Sequence, residues 1–100
     1  MLKKDLLELC LLGQLTQSPQ YGYELLRRLH DAFPDTQESA IYAILRGLCK
    51  EGCTRSFAGK TSEGPTRKYY ELTDLGREKY AALLAEWRAM RQAITALGVE

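Results

Sequence analysis

Residues 39–52 read SAIYAILRGLCKEG, and their apolar side chains recur at helical spacing. Four of them would line one side of a helix: Ile41, Ile44, Leu45 and Leu48. The other side carries small and polar residues with two cations: Ser39, Tyr42, Ala43, Arg46 and Lys50. Gly52 is suitably placed to end the helix as a glycine C-cap. The pattern predicts an amphipathic helix that buries one face and presents the other to solvent or to a partner.

Two more helices are predicted before this segment. Residues 3–15 are apolar on nearly every side, so a helix formed by them must be covered on most of its surface. A second helix is expected over residues 19–32, with Ser18 as its N-cap, because Pro19 is tolerated at a first helical position. Asp35 or Thr36 can then cap the third helix. Two helices joined by a short turn, the second amphipathic, predict a helix-turn-helix.

A β-hairpin is predicted after the third helix. Residues 54–58 and 67–72 are rich in β-forming residues, and the sequence GKTSEGPT between them is typical of a turn. On the returning strand Tyr70 and Leu72 share one face, while Tyr69 belongs to the other. A lone hairpin is marginally stable in water, so its apolar face is expected to pack on the helices.

A long helix is predicted to close the chain, with Thr73 as its N-cap and Asp74 near the positive end of its dipole. A seam of six residues follows at steps of three and four: Tyr80, Leu83, Trp87, Met90, Ile94 and Leu97. We expect no other part of the same chain to cover this narrow seam. The seam therefore predicts a homodimer interface between two copies of this helix.

Composition and charge restrict the class of protein. The chain has 100 residues, 45% of them hydrophobic and 27% charged, which is the size and balance of a single globular domain. The formal net charge is only +1, yet residues 39–68 contain six cations and two anions. This concentration of cations favours a nucleic-acid partner. No apolar stretch approaches the about 20 residues that span a bilayer, and we expect a cytoplasmic location.

The cysteines and the absence of catalytic motifs narrow the function further. The chain has three cysteines, an odd number, and their spacing is not that of a disulfide framework: Cys10, Cys49 and Cys53. This is typical of a protein in a reducing compartment. The Cys49-x3-Cys53 spacing, with His30 as the single histidine, leaves open a regulator that responds to thiol oxidation or to a metal. A typical metal site would have a second pair of ligands, which this sequence lacks, so no metal site is predicted. No clustered carboxylates, phosphate-binding glycine loop or nucleophile elbow are present, so we expect neither an enzyme nor a cofactor.

The order of three helices, a hairpin and a long helix accompanies four motifs: YGYELLRRL (21–29), SAIYAILRGLCKEG (39–52), EGPTRKYYELTDLGRE (63–78) and LLAEWRAM (83–90). Together they resemble the PadR family of winged helix-turn-helix transcriptional regulators, in its short subgroup with one C-terminal helix. The combination of Y-G-Y-E-L with G-P-x-R-K-Y-Y-x-L-T is specific to that family. The expected fold is mainly α with a small β-hairpin (α+β): a winged helix-turn-helix domain over residues 1–72 and a dimerisation helix over 73–100.

The resemblance implies a homodimeric repressor of double-stranded operator DNA, with the third helix in the major groove and the hairpin, or wing, near the minor groove or the phosphates. It also implies release by a small effector, often planar aromatic or phenolic, bound near the dimer interface. The expected DNA-contacting residues are Tyr21, Ser39, Tyr42, Arg46, Lys50, Lys60 and Arg67. Trp87 is a candidate ligand contact, since some members stack ligands on a tryptophan at the matching position, and it also fits an ordinary interface anchor.

Four positions depart from the family pattern. Proline is common where this chain has Ala43, arginine or lysine where it has Gly47, an apolar residue where it has Thr54, and tryptophan or tyrosine where it has Phe57. Gly47 removes a phosphate contact and lowers helix propensity by about 1 kcal/mol relative to alanine. The departures bear on affinity and sequence preference, not on the fold. A winged-helix domain can also act as a protein–protein interaction module, and this alternative remains open from the sequence.

Overall fold

The computed structural model describes residues 1–59 and 66–100. Its elements, in chain order, are α1 (Lys3–Gln14), β1 (Gln20–Tyr21), α2 (Gly22–Ala32), α3 (Glu38–Lys50), β2 (Thr54–Gly59), β3 (Arg67–Leu72) and α4 (Asp74–Ala96). The predicted mainly helical α+β fold is confirmed. No helix in the described part of the chain is long and apolar enough to cross a bilayer.

The hydrophobic core lies where α1 meets α2 and α3. Its fully buried side chains are Leu11, Leu12, Leu15, Leu25, Ile41, Leu45 and Leu48. Helix α1 contacts α2, α3 and α4, which explains why its sequence is apolar on nearly every side. The buried face predicted for α3 is confirmed for Ile41, Leu45 and Leu48, while Ile44 is half-buried at its margin.

The sheet has three antiparallel strands in the order β1-β3-β2, one more than the predicted hairpin. The additional strand is β1, which pairs Gln20 with Tyr70 and Tyr21 with Tyr69. This pairing corrects the predicted start of the second helix. Residues 20 and 21 are extended because their backbone groups bond to β3, so α2 begins at Gly22, with Tyr21 rather than Ser18 at the N-cap.

Of the two caps predicted for α3, only the C-cap is observed. Its N-cap is Gln37, without a side-chain cap bond, so neither Asp35 nor Thr36 caps it as predicted. The carbonyl of Thr36 instead lies 2.8 Å from His30 Nδ1, which ties the turn to α2. At the other end Gly52 has φ +83°, and the N–H of Cys53 donates to the carbonyl of Leu48 at 2.9 Å. The predicted glycine C-cap is thus confirmed, in the form of a Schellman motif.

Helix α4 begins against the loop that follows α3. The hydroxyl of Thr73 accepts from the N–H of Gly76 at 3.1 Å, which confirms the predicted N-cap. The N–H of Thr73 donates to the carbonyl of Cys53 at 3.1 Å. A Cβ on Gly76 would overlap that same carbonyl oxygen, so glycine is required for this close approach.

The α4 seam is divided between two environments, which corrects the expectation that nothing in the same chain would cover it. Leu83 is buried, and Tyr80 and Trp87 are half-buried against the core, because the first half of α4 packs on α1. Met90 and Ile94 on the second half are 39% and 45% exposed. Leu97 lies just beyond the helix as its C-cap and is also exposed.

One lysine joins three helices at the side of the core. Lys79 Nζ on α4 lies 3.0 Å from Glu8 Oε2 of α1 and 3.0 Å from Glu51 Oε2 at the end of α3. Burial lowers the pKa of Lys79, but hydrogen bonds and the negative charge of the two carboxylates outweigh it, so its pKa is raised overall. The Glu8 side chain is almost fully buried and depends on this partner.

Candidate nucleic-acid interface

The outward face of α3 carries the first part of the candidate site. Ser39, Tyr42, Ala43, Arg46 and Lys50 are all exposed, opposite the residues that α3 buries. The Arg46 guanidinium carbon lies 5.9 Å from the centre of the Tyr42 ring, one helical turn away. This separation is within the range of a cation–π contact. Tyr42 and Arg46 therefore form one polar unit at the middle of the helix.

The glycine on this helix faces open space. A Cβ built on Gly47 would have nothing within 4 Å beyond its own helix backbone. Glycine is therefore not required there by a neighbouring part of the chain. The departure from the family pattern leaves a gap beside Arg46 in which a longer side chain would fit.

The second part of the site lies where β1 meets β3. Arg67 opens β3, and its guanidinium carbon is 5.1 Å from the centre of the Tyr21 ring. Tyr23 follows on α2 with its side chain exposed and Arg27 at 5.9 Å from its ring. The strand pairing thus brings together Tyr21 and Arg67, which the sequence predicted as separate contacts. The predicted contact Lys60 lies outside the described residues.

Lys68 is a cation near α3 that the list of expected contacts left out. Its Nζ lies 5.5 Å from the centre of the Tyr70 ring, on the face of β3 turned toward the helices. Burial raises the pKa of the Tyr70 hydroxyl, and Lys68 lowers it by a smaller amount. The hydroxyl of Tyr42 is near enough to raise the same pKa. Strand alternation, which puts residues 68 and 70 on one face, was the signal that could have placed Lys68.

Arg55, by contrast, is already paired within the sheet. Its Nε donates to Glu71 Oε1 at 3.1 Å across the pair β2–β3. The two residues are directly opposite in the register. Part of the positive charge counted between residues 39 and 68 is therefore neutralised, and the remaining cations that the structure describes in this range lie on α3 and at the start of β3.

Two grooves lie beside the seam of α4. One of ≈ 600 Å³ between α1 and α4 is lined by Leu6, Leu9, Cys10, Gly13, Gln14, Phe33, Tyr80, Leu84 and Trp87. Another of ≈ 300 Å³ includes Met90 and Ile94 and also reaches Trp87. The Arg91 guanidinium lies 4.9 Å from the Trp87 ring. Trp87 is thus the side chain shared by the covered and the exposed halves of the seam.

Two of the three cysteines have thiols whose pKa is raised by burial. Cys53 is buried beside the start of α4, and burial raises the pKa of its thiol. Burial likewise raises the pKa of Cys10. A raised pKa keeps a thiol protonated and slows its oxidation or metal binding. In the ranges 1–59 and 66–100 no three histidine, cysteine or acidic side chains are grouped to hold a metal ion.

Comparison with known proteins agrees with this arrangement. The family model described as the transcriptional regulator PadR-like family matches residues 11–82. A PadR-like transcriptional regulator from Bacillus cereus is 34% identical with a TM-score of 0.83, covering 94% of this chain and 92% of that one. A Streptococcus transcriptional regulator is 33% identical with a TM-score of 0.82, covering 95% and 94%. A Streptococcus mutans protein is 28% identical with a TM-score of 0.86, covering 95% and 88%.

Fold, site and similarity lead to one class of protein. Three helices and a strand-paired wing carrying exposed cations are the parts of a winged-helix DNA-binding transcription regulator, not of an enzyme. The chain belongs to the PadR-like family of transcriptional regulators. The resemblance read from its motifs is thereby confirmed.

Proposed function

We propose that the protein is a homodimeric repressor that binds operator DNA through α3 and the wing and releases it on binding a small effector. The observation that carries this proposal is the exposed face of α3, where Tyr42 and Arg46 are in contact on the side opposite the buried Ile41, Leu45 and Leu48. An exposed helix of this kind fits the width of the major groove of B-DNA. The family supports DNA binding, and the repressor, the dimer and the effector are the proposed parts.

The four polar residues of the α3 face have distinct roles in the proposal. Arg46 donates to a guanine edge or a phosphate, because its planar fork can bind both acceptors of guanine. Tyr42 restrains the Arg46 side chain through their contact and donates its own hydroxyl. Ser39, in the first turn of α3, donates to a phosphate, and Lys50, in the last turn, attracts the DNA backbone.

The wing contributes contacts that do not depend on base sequence. Tyr21 and Arg67, which lie together where β1 meets β3, donate to phosphate oxygens. Lys60 keeps its predicted role as a phosphate contact of the wing. Phosphate contacts of this kind release counterions, so they make the affinity fall steeply with salt concentration.

In the proposed dimer, α4 joins two copies along Tyr80, Leu83, Trp87, Met90, Ile94 and Leu97. The exposed Met90 and Ile94 support this assignment, because a row of apolar side chains on a terminal helix is stabilised by burial against a partner. Tyr80, Leu83 and Trp87 already contact the core of their own chain, so their contribution to the partner contact is smaller. Two recognition helices held by such a dimer would read half-sites about one helical turn of DNA apart.

The effector site of the proposal lies beside Trp87. A planar aromatic compound fits an apolar groove next to an indole ring, where stacking supplements burial. Arg91 covers one face of that ring, so a ligand would stack on the other face or displace Arg91. Binding between α1 and α4 would alter the spacing of the recognition helices and so couple the effector to DNA affinity.

The proposal is tested by fluorescence anisotropy with duplex DNA from the region upstream of the protein's own gene, at several salt concentrations. Replacing Arg46 and Arg67 together by alanine should weaken binding by about 100-fold, since each contact contributes about 1–3 kcal/mol. An Arg88→Ala variant on the exposed surface of α4 is the control and should bind like the wild type. Unchanged affinity of the double variant would reject the assignment. Quenching of Trp87 fluorescence by planar aromatic compounds, with loss of DNA, would identify the effector class.

A further inference from the structure

A row of three aromatic rings crosses the outward face of the sheet, one on each strand. The register places Tyr21 of β1 and Phe57 of β2 opposite Tyr69 of β3. The ring centres of Tyr21 and Tyr69 are 5.7 Å apart, and those of Phe57 and Tyr69 are 5.9 Å apart. Both separations are within the range of aromatic contacts. Tyr69 is therefore the middle ring, in contact with both of the others.

Gly59 determines where the Tyr69 ring can lie. It is the last residue of the edge strand β2 and is diagonal to Tyr69, because its direct partner in the register is Arg67. A Cβ on Gly59 would overlap the Tyr69 ring. The ring thus covers the glycine, an arrangement in which a cross-strand aromatic compensates for the missing side chain of an edge strand. Phe57 and Gly59 together hold Tyr69 against the base of the wing.

Arg67 lies at the end of this row. It is two residues before Tyr69 on β3, so both side chains are on the same face of the sheet. Its guanidinium lies over Tyr21, which in turn contacts Tyr69. An arginine that is already ordered loses less side-chain entropy when it binds a phosphate than one that moves freely. The aromatic row thus connects the two side chains assigned to the DNA backbone at this edge.

We propose that Tyr69 is a positioning residue for DNA binding: it holds Tyr21 and, through Tyr21, Arg67 in the orientation that meets the phosphates. Gly59 is also required for this role, because it leaves the space that the Tyr69 ring occupies. The inference rests on the proposed DNA contacts of Tyr21 and Arg67 and adds a residue that need not touch DNA itself. Its consequence is an energetic coupling between Tyr69 and Arg67.

A double-mutant cycle with Tyr69→Leu and Arg67→Met measures that coupling through DNA affinity at several salt concentrations. Arg67→Met alone should weaken binding about tenfold and reduce the slope of log affinity against log salt by about one, as expected for the loss of one phosphate contact. Tyr69→Leu alone should weaken binding about fivefold, because Arg67 and Tyr21 must then be ordered on binding. In the double variant the two effects should not multiply, since without Tyr69 the arginine contributes less.

Two further variants separate positioning from folding. Tyr69→Phe keeps the ring and should bind within about twofold of the wild type, because the aromatic contacts remain. Gly59→Ala keeps every side chain of the row but displaces the Tyr69 ring, so it should reproduce the weaker binding of Tyr69→Leu. Thermal unfolding of each variant, followed by circular dichroism, defines a temperature at which all of them are folded and compared.

The outcomes distinguish this inference from the proposal on which it rests. Effects of Tyr69→Leu and Arg67→Met that multiply would overturn the positioning role, and so would normal binding by Gly59→Ala. If Arg67→Met leaves the DNA affinity unchanged, the positioning role is also overturned, because Arg67 then makes no DNA contact that Tyr69 could position. A wild-type protein without salt-dependent DNA binding would reject the proposed function itself, and the positioning role with it.

Discussion

Thr54 is a departure from the family pattern that affects the stability of the fold. It is 3% exposed at the start of β2, and its Oγ1 finds no hydrogen-bond partner among the described residues. A buried hydroxyl without a partner has lost its hydrogen bonds to water and gained none in return. The apolar residue usual at this position avoids that loss, so Thr54 makes the fold less stable than it could be.

Thr54→Val should therefore raise the free energy of unfolding by about 1 kcal/mol, because the shape is kept and the unpaired hydroxyl is removed. Thr54→Ser is the matched control. It keeps the hydroxyl and deletes the methyl group, so it should lower the stability by about 1 kcal/mol. Urea unfolding measures both variants, and a destabilised Thr54→Val protein would show that the hydroxyl is hydrogen-bonded in solution.

Gly47 affects the charge of the α3 face as well as the stability of the helix. Gly47→Lys should make the slope of log DNA affinity against log salt steeper by about one, because it adds a cation to the α3 face in open space. Gly47→Ala is the control, since it restores about 1 kcal/mol of helix propensity without adding charge. Both variants should melt at a higher temperature, and only the lysine should change the salt slope. An unchanged slope for Gly47→Lys would show that this part of α3 does not approach the phosphates.

Lys79 joins the three helices α1, α3 and α4. Its two carboxylate partners differ in exposure, with Glu8 almost fully buried and Glu51 half exposed at the surface. Removing the lysine leaves the buried carboxylate without its counter-charge, which is more destabilising than removing the whole pair. The position of α4 on α1 thus depends on one ionic contact as well as on apolar packing.

Lys79→Met should lower the free energy of unfolding at pH 7 by about 2 kcal/mol, below the range for fully buried pairs because Lys79 is partly exposed. Adding Glu8→Leu to this variant should recover most of the loss, because no unpaired charge then remains. Urea unfolding at fixed pH measures both steps. Equal stabilities of Lys79→Met and the wild type would mean that Glu8 is solvated without the lysine.

The same network gives a pH dependence. The pKa of Lys79 is raised in the folded protein, so its contribution is fully present below its unfolded pKa of about 10.4 and is lost as the pH rises through the higher folded value. On the alkaline side, the stability difference between the wild type and Lys79→Met should accordingly begin to shrink only above about pH 10.4. The difference is the quantity to follow, because the raised pKa of Tyr70 makes both proteins less stable in the same alkaline range. A difference that already shrinks at neutral pH would contradict the assignment.

The two halves of α4 have different surroundings in the molecule. The first half completes the core on α1, and the second half extends beyond it with Met90 and Ile94 exposed. The positive surface of α3 and the wing is formed by other elements. This separation would let two chains pair through α4 and leave the outward face of α3 uncovered, which is the arrangement that the proposed dimer requires.

Replacing Met90 and Ile94 together by aspartate should prevent the proposed dimer from forming, because four carboxylates would be brought into one apolar interface. Gln92→Asp is the matched control on the exposed opposite side of the helix and should leave the dimer intact. Sedimentation equilibrium gives the mass directly. A wild-type protein with the mass of one chain at micromolar concentration would contradict the dimer.

The features that could be predicted from the sequence are those that neighbouring residues establish among themselves. The buried face of α3 follows from the spacing of Ile41, Leu45 and Leu48, and the ends at Gly52 and Thr73 follow from cap chemistry within a few residues. Alternation placed Tyr70 and Leu72 on the buried face of the hairpin for the same reason. The motifs were also sufficient for the family, while the residues expected at the DNA surface stay predictions.

Long-range contacts settled the remainder. Residues 18–21 read as the start of a helix, but pairing with β3, far along the chain, holds Gln20 and Tyr21 extended and turns the hairpin into a three-stranded sheet. Only that pairing brings Arg67 onto Tyr21 and completes the aromatic row at Tyr69. The division of the α4 seam likewise depended on where α1 lies. The spacing of residues along the sequence determines which face of an element is apolar. The three-dimensional packing of distant segments determines what covers that face.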